Sequence, residues 1–162
     1  VQRANYYLGR QHGPTLIFAQ GRCISEQTFK NGLLHGESTT YDAAGQISAK
    51  LHYQEGILHG PATFFSEGKL MRKFVYLASL IEGQSCDFDR NGGLVQSSQY
   101  KLNLLDGPLR RYWPNGQLME EIIYQQGKPK GVPACFDING KEKINLPTSS
   151  GVFTHLEKWV RG

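Results

Sequence analysis

Aromatic residues recur along the chain at two fixed distances from a glycine. These anchor glycines lie 23 or 24 residues apart, at Gly13, Gly36, Gly60, Gly83, Gly107 and Gly131. Five positions after each stands one aromatic residue, at Phe18, Tyr41, Phe65, Phe88, Tyr112 and Phe136. Seven positions before each stands another, at Tyr6, Phe29, Tyr53, Tyr76, Tyr100 and Tyr124. A period of this size, repeated six times, predicts an array of units that pack on their neighbours.

Each unit has the pattern of a β-hairpin, because its segments are short, poor in strong helix formers and bounded by glycine. In the shorter units a two-residue turn pairs Phe65 with Leu70. In the longer units a three-residue loop with a left-handed glycine retains that pairing, as between Tyr112 and Leu118. The return turns, such as the one at Glu55-Gly56, pair each remaining aromatic residue with an aliphatic one. Serine tolerates positive φ poorly, so Ser79 marks the weakest of these turns.

We therefore predict an all-β fold: an elongated antiparallel meander of six β-hairpin repeats over residues 1–140. About twelve strands at ~4.8 Å each give a sheet roughly 55 Å long. Side chains alternate between the two faces of a strand. Both aromatic rows of a unit can share one face only if the strand contains a one-residue bulge, which we place at the anchor glycine. One face is expected to carry the aromatic and aliphatic ladder, and the other is expected to be mostly polar.

The tail, residues 141–162, breaks the repeat pattern. Its apolar residues recur at helical spacing, at Val152, Phe153, Leu156, Trp159 and Val160. This spacing predicts a short amphipathic helix that caps the open end of the last hairpin. A helix that docks on a partner is the alternative.

Composition indicates a soluble, turn-rich chain of one domain, and the charge is modest. The chain is 39% hydrophobic with a formal charge of +4, and its basic residues are interspersed with acidic ones, so nucleic acid is not an expected partner. No segment is suited to span a membrane, and membrane binding is not expected. The sequence contains no nucleophile elbow, zinc-protease motif or phosphate loop, so we expect no catalytic residues and no cofactor. The chain begins at Val1 without an initiator methionine, which is compatible with removal of a leader.

Neither the cysteines nor the histidines predict a reactive or metal site. The repeat pattern separates Cys86 from Cys135 by about four strands, roughly 19 Å, so we expect three thiols and no disulfide. Three histidines, at positions 12, 35 and 59, each precede an anchor glycine. Equivalent positions lie about 9.6 Å apart, too far to share a zinc ion. Solvated turn histidines and no metal are the prediction.

Several large residues occupy positions where the pattern calls for polar side chains on the face opposite the ladder. The pairing rule places Ile17 near Ile24, Phe64 opposite Met71 and Arg111 opposite Met119, with Trp113 alongside. On the ladder face it places Arg110 opposite Glu120. Aromatic, methionine and arginine side chains are typical of interface centres. The predicted partner-binding residues are Phe64, Met71, Arg111, Trp113 and Met119; a covering layer formed by the tail is the alternative.

The repeated phrases resemble the bacterial variant of the MORN repeat. They are Tyr-Asp-Ala-Ala-Gly-Gln-Ile, Tyr-Gln-Glu-Gly-Ile-Leu-His-Gly and Tyr-Trp-Pro-Asn-Gly-Gln-Leu, and the resemblance covers about residues 5 to 140. The Tyr-x-Gly-x-Trp phrase typical of eukaryotic MORN repeats is absent. The bacterial branch includes YwqK-family antitoxins and immunity proteins encoded beside type VI secretion phospholipase effectors.

The resemblance implies a noncatalytic immunity or antitoxin protein that neutralises a cognate toxin, such as a phospholipase effector, by binding it. It also implies a location in the bacterial periplasm, with the cytoplasm as the alternative. From the single-meander architecture we expect a monomer when free. A peripheral membrane or scaffold module is the second hypothesis. An enzyme is the third, and it has the least support from the residues.

Overall fold

The structure, a computed structural model, describes residues 1–143 as one antiparallel sheet whose strands pair in chain order from first to last. The strands are β1 (Gln2–Tyr7), β2 (Arg10–Ala19), β3 (Arg22–Lys30), β4 (Leu33–Tyr41), β5 (Ile47–Gln54), β6 (Ile57–Ser66), β7 (Lys69–Leu77), β8 (Leu80–Phe88), β9 (Leu94–Lys101), β10 (Leu104–Tyr112), β11 (Leu118–Gln125), β12 (Lys128–Phe136) and β13 (Glu142–Lys143). The predicted all-β meander of hairpins is confirmed. The predicted capping helix lies outside the described residues, and the first part of the tail contributes β13.

The turns are those that the glycine pattern predicts. Phe65 pairs with Leu70, and Tyr112 pairs with Leu118. In the two-residue return turns both residues have positive φ, for example +52° at Glu55 and +84° at Gly56, as turns that match the twist of a hairpin require. Each longer loop places its glycine in the left-handed region.

Neighbouring return turns are hydrogen-bonded to one another through the backbone. The amide of Gly56 donates to the carbonyl of Leu34 across 2.8 Å, and the amide of Ser79 donates to that of Leu58 across 2.7 Å. Each turn therefore satisfies a carbonyl of the preceding repeat. These bonds hold the turns in register along one long edge of the sheet.

Each repeat contains two bulges. Tyr53 pairs with Leu58 but Leu51 pairs with Ala62, so His52 faces three residues that include the anchor glycine. The predicted one-residue bulge at the anchor is wrong in size, because two residues are inserted there. A second, one-residue bulge follows the other turn and recurs at Ile24, Ser48, Met71, Val95 and Met119.

The two aromatic rows lie on opposite faces of the sheet. The Phe64 ring stacks on Phe74 with centroids 5.5 Å apart, and Phe74 meets the ring of Tyr76 edge-on at 5.1 Å, so these three residues share a face. Phe65 follows Phe64 in the same strand and therefore lies on the other face. The prediction of a single ladder face is wrong, because the one-residue bulge reverses the alternation between the two rows. We call the side that carries Tyr76 the first face and the side that carries Phe65 the second face.

A row of mostly small residues forms the buried centre of the sheet. The residue two positions after each of the first five anchor glycines is buried, at Thr15, Ser38, Ala62, Ser85 and Leu109. No second layer covers the sheet within residues 1–143, so side chains of the same sheet shield this row. Both faces of the array therefore present side chains outward along its whole length.

Candidate partner-binding surface

A file of paired side chains crosses the middle of the first face. Successive cross-strand partners run from β6 to β11, at Phe64, Arg72, Asp87, Gln96, Arg111 and Glu120. We call this file the central strip. Its members lie on one face because each pair is directly opposed across neighbouring strands. The strip spans five strand spacings, roughly 24 Å.

Charged and amide groups of the central strip are paired with one another. Arg111 donates from Nη1 to Glu120 Oε2 across 2.6 Å and from Nε to Gln96 Oε1 across 3.2 Å. Arg72 forms an ion pair with Asp87, and this hydrogen bond raises the pKa of the Arg72 guanidinium above its usual range. The charges of the strip are thus neutralised within the sheet and held in fixed positions.

The predicted partners of the two methionines are wrong by one position. Phe64 pairs with Arg72 and Arg111 pairs with Glu120, because Met71 and Met119 are the unpaired residues of one-residue bulges. Both methionines are half-buried beside the strip. A bulge leaves such a residue without a direct partner across the sheet.

One-residue bulges also move two further predicted pairs. Arg110 pairs with Glu121, and its Nε lies 2.5 Å from the carboxylate of that residue, rather than facing Glu120. Ile17 pairs with Ser25, because Ile24 is the bulge residue of its repeat. In both cases the pairing beyond the turn follows the predicted rule only as far as the first apolar pair.

Trp113 begins the loop between β10 and β11. Its indole N–H donates to the carbonyl of Phe136 across 3.2 Å, and its backbone amide donates to the backbone carbonyl of Gln117 across 2.8 Å. Asn115 in the same loop donates from Nδ2 to the carbonyl of Ile138 across 2.9 Å. The loop is therefore attached to the following repeat, and Trp113 is half-buried rather than free on the surface.

The five predicted partner-binding residues form two groups. Phe64 and Met71 lie on β6 and β7, and the other three lie on or beside β10 and β11. Four strand spacings, about 19 Å, separate β6 from β10. Asp87 and Gln96 of the central strip fill the interval. A partner that contacts all five residues must therefore lie across the sheet rather than enter a single pocket.

Two of the repeat histidines accept hydrogen bonds from turns of the next repeat. The amide of Asn31 donates to Nδ1 of His12, and the amide of Glu55 donates to Nδ1 of His35, each across 3.5 Å. Glu82 occupies the equivalent position and accepts from the amide of Leu102 at 2.9 Å. These side chains thus join repeats, a role the sequence did not reveal. Residues 1–143 contain no group of three side chains suited to a metal ion.

The three cysteines are thiols, as predicted. Cys86 lies on β8 and Cys135 on β12, in agreement with the expected separation of four strands. Over the described part of the chain there is no helix long and apolar enough to cross a membrane.

Sequence analysis missed a set of exposed aliphatic residues on the second face. They flank the return turns, and they include Leu33, Ile57, Leu77 and Leu104, each 47 to 50% exposed. Each lies next to a first-face ladder residue in its strand, so alternation alone places it on the opposite face. That signal was present in the sequence, but assigning all aromatic residues to one face concealed it.

Two segments of the chain match the family model of the MORN repeat variant, residues 34–55 and residues 105–126. Each segment corresponds to one hairpin, β4–β5 or β10–β11, and the two lie three repeats apart. Repeats of this kind are generally protein-binding or membrane-binding modules. No curated protein matches the chain.

Solved structures show partial similarity. The crystal structure of TarM shares 15% identity over 59% of this chain and 19% of that chain, with a TM-score of 0.40. A mutant of S. aureus TarM in complex with fondaparinux, alpha-GlcNAc-glycerol and UDP shares 14% identity over 58% of this chain and 19% of that one, with a TM-score of 0.41. The GtfA/B complex bound to UDP and GlcNAc shares 11% identity over 72% and 23% of the respective chains, with a TM-score of 0.32. The chain thus spans about a fifth of the length of these proteins.

Proposed function

We propose that this chain is a noncatalytic immunity or antitoxin protein that neutralises a cognate bacterial toxin by direct binding. The observation that carries the proposal is the central strip, a fixed row of aromatic, arginine and carboxylate side chains across a face that no other part of residues 1–143 covers. Such a row suits a broad protein partner, because interface centres combine aromatic and arginine anchors with paired polar groups. The matched MORN-variant hairpins support a binding role over catalysis.

The proposed contact residues are those that the sequence singled out, namely Phe64, Met71, Arg111, Trp113 and Met119. Arg111 is the strongest candidate for an anchor, since Glu120 and Gln96 hold its guanidinium in place before a partner arrives. A preformed side chain loses less entropy on binding. The phospholipase identity of the toxin and the periplasmic location belong to the same proposal and rest on the bacterial MORN-variant resemblance. The monomeric free state belongs to it as well and rests on the single-meander architecture.

The test is co-expression of the chain with the product of the adjacent gene, followed by growth measurement and analytical size exclusion. Rescue of growth together with a stable complex supports the proposal. Replacing Arg111 by alanine should weaken the complex by ~2 kcal/mol or more if the residue is a hot spot. The matched control is Lys69→Ala, at the long edge of the sheet that lies away from the return turns. This variant should leave binding unchanged.

A peripheral membrane module is the alternative outcome. Flotation with vesicles of anionic lipid distinguishes the two functions, because a membrane module floats in a salt-sensitive manner. Strong flotation without growth rescue would reject the immunity role.

A further inference from the structure

The residues that flank the six return turns form a second surface. They are Tyr7, Arg10, Lys30, Leu33, Gln54, Ile57, Leu77, Leu80, Lys101, Leu104, Gln125 and Lys128, and each hairpin contributes one directly opposed pair. We call this set the turn row. Each pair adjoins a first-face ladder pair, so the turn row lies on the second face, along one long edge of the sheet.

The middle of the turn row is apolar and exposed. Leu33, Ile57 and Leu77 are each 47 to 50% exposed. Leu80, the cross-strand partner of Leu77, is half-buried. Contiguous exposed apolar surface on a soluble protein marks an interaction site.

The ends of the turn row are cationic. Arg10 and Lys30 lie at one end and Lys101 and Lys128 at the other, and the row contains no carboxylate. None of the ion pairs described within residues 1–143 involves these four cations. Three acidic residues lie next to the row: Glu55 at the tip of a turn, and Glu82 and Asp106, each two positions beyond a turn-row leucine. The carboxylate of Glu82 accepts a hydrogen bond from the amide of Leu102. The positive charge at both ends is therefore available to a partner.

We propose that the turn row binds a helical segment of a protein partner that carries apolar side chains along one side and carboxylates near both ends. Lys30 on β3 and Lys101 on β9 lie six strand spacings apart, about 29 Å. A helix of about 19 residues covers that distance at 1.5 Å per residue. Carboxylates at its ends would meet the lysines while its apolar side covers the leucines and isoleucine.

The arrangement of charge favours a protein over an anionic membrane. Surface attachment to lipid requires a dense basic cluster and benefits from aromatic side chains at the interface. Here four cations are divided between two ends, and the exposed middle is aliphatic. An apolar centre with charged margins is the pattern of a protein interface. The turn row lies on the face opposite the central strip, so this proposal does not depend on toxin binding there.

The test is fluorescence anisotropy of the whole chain with a labelled synthetic helix of about 20 residues. The helix presents leucines on one side and glutamates in its first and last turns, and a matched peptide has lysines in place of the glutamates. We expect the glutamate peptide to bind at least tenfold more tightly than the lysine peptide. The combined variant Lys30→Glu and Lys101→Glu should reverse that preference, and Ile57→Ser should weaken both peptides.

Two controls keep the result specific. Lys69→Glu removes one cation from the opposite long edge and should leave peptide affinity unchanged, and the thermal melt of each variant reports on folding. Equal affinity for the two peptides, or no binding of either, overturns the proposal. A membrane role would replace it if the glutamate peptide fails to bind and Lys101→Glu abolishes flotation on phosphatidylserine vesicles. Self-association would replace it if Ile57→Ser dissociates a dimer of the chain.

Discussion

Trp113 donates its indole N–H to the main-chain carbonyl of Phe136, one repeat further along the chain, across 3.2 Å. At the equivalent position the other three-residue loops have aspartate, at Asp42, Asp89 and Asp137. The carboxylates of these aspartates accept two backbone amides within their own loops. The side chain of Trp113 therefore bonds to the following repeat, where the aspartates bond within their own loops. Trp113 is also a proposed contact residue.

Replacing Trp113 separates these two roles. Trp113→Asp should restore the loop bonds made by Asp42 and remain within about 1 kcal/mol of the parent in urea unfolding. Trp113→Ala has neither the indole bond to Phe136 nor the carboxylate bonds within the loop, and it should be about 1 to 2 kcal/mol less stable than the aspartate variant. Both variants should weaken binding of the toxin. An aspartate variant less stable than the alanine variant would contradict this description of the loop.

The turn at Ala78-Ser79 should be the easiest to stabilise. Ser79 has φ of +66° where the equivalent turn has Gly56, and the left-handed conformation costs a residue with a side chain about 1 to 2 kcal/mol. Ser79→Gly should therefore raise the free energy of unfolding by about 1 kcal/mol. The matched substitution Gly56→Ser should lower it by a similar amount. Urea denaturation monitored by circular dichroism measures both, and a destabilised Ser79→Gly variant would contradict the assignment.

The ion pair between Arg111 and Glu120 should contribute more than the one between Arg72 and Asp87. The side chains of the first pair are 27% and 15% exposed, whereas Arg72 is 57% exposed. Screening by water weakens the more exposed pair. A double-mutant cycle with Arg111→Met and Glu120→Gln should give a coupling energy of about 1 to 2 kcal/mol. The corresponding cycle at the second pair should give less than about 1 kcal/mol, and the reverse order would refute the ranking.

Acidification should remove a small contribution from Glu37. The hydrogen bond from Lys50, at 3.0 Å, lowers the pKa of Glu37 from its ordinary value of 4.5. A lowered pKa stabilises the fold above the unfolded-state value, and this stability is lost as the pH falls through the lower folded-state value. Glu37→Gln should thus cost up to about 1 kcal/mol at neutral pH and nothing below the folded-state pKa. Lys50→Gln should show the same pH dependence, and a difference that grows on acidification would be incompatible with this pairing.

Local features of the sequence predict the hairpins well. The glycines and their spacing determine each turn, and a turn determines the first pair beyond it, so the pairing of Phe65 with Leu70 and of Tyr53 with Leu58 was predictable. The bulge at Met71 was not, because no glycine marks it and an unpaired residue looks like any other strand residue. One such residue per repeat reverses every later assignment of faces.

The same shift limits what the sequence says about the site. It places Arg111, Trp113 and Met119 close together in one hairpin, and the structure does so as well. It pairs Arg111 with the wrong residue, since the ion-pair partner Glu120 lies one position beyond the bulge at Met119. Contacts between repeats, such as that of Trp113 with Phe136, depend on how neighbouring hairpins align and have no signature within one repeat.

Neutralisation of the cognate toxin at increasing molar ratios tests the account most directly. The product of the adjacent gene is held at a concentration well above the dissociation constant, and its activity is measured as this chain is added. A noncatalytic binding protein predicts a linear loss of activity that ends at one chain per toxin, with Arg111→Ala shifting the binding curve and not its stoichiometry. Complete inactivation by a small fraction of one equivalent, or full activity in the presence of excess chain, would contradict the proposal.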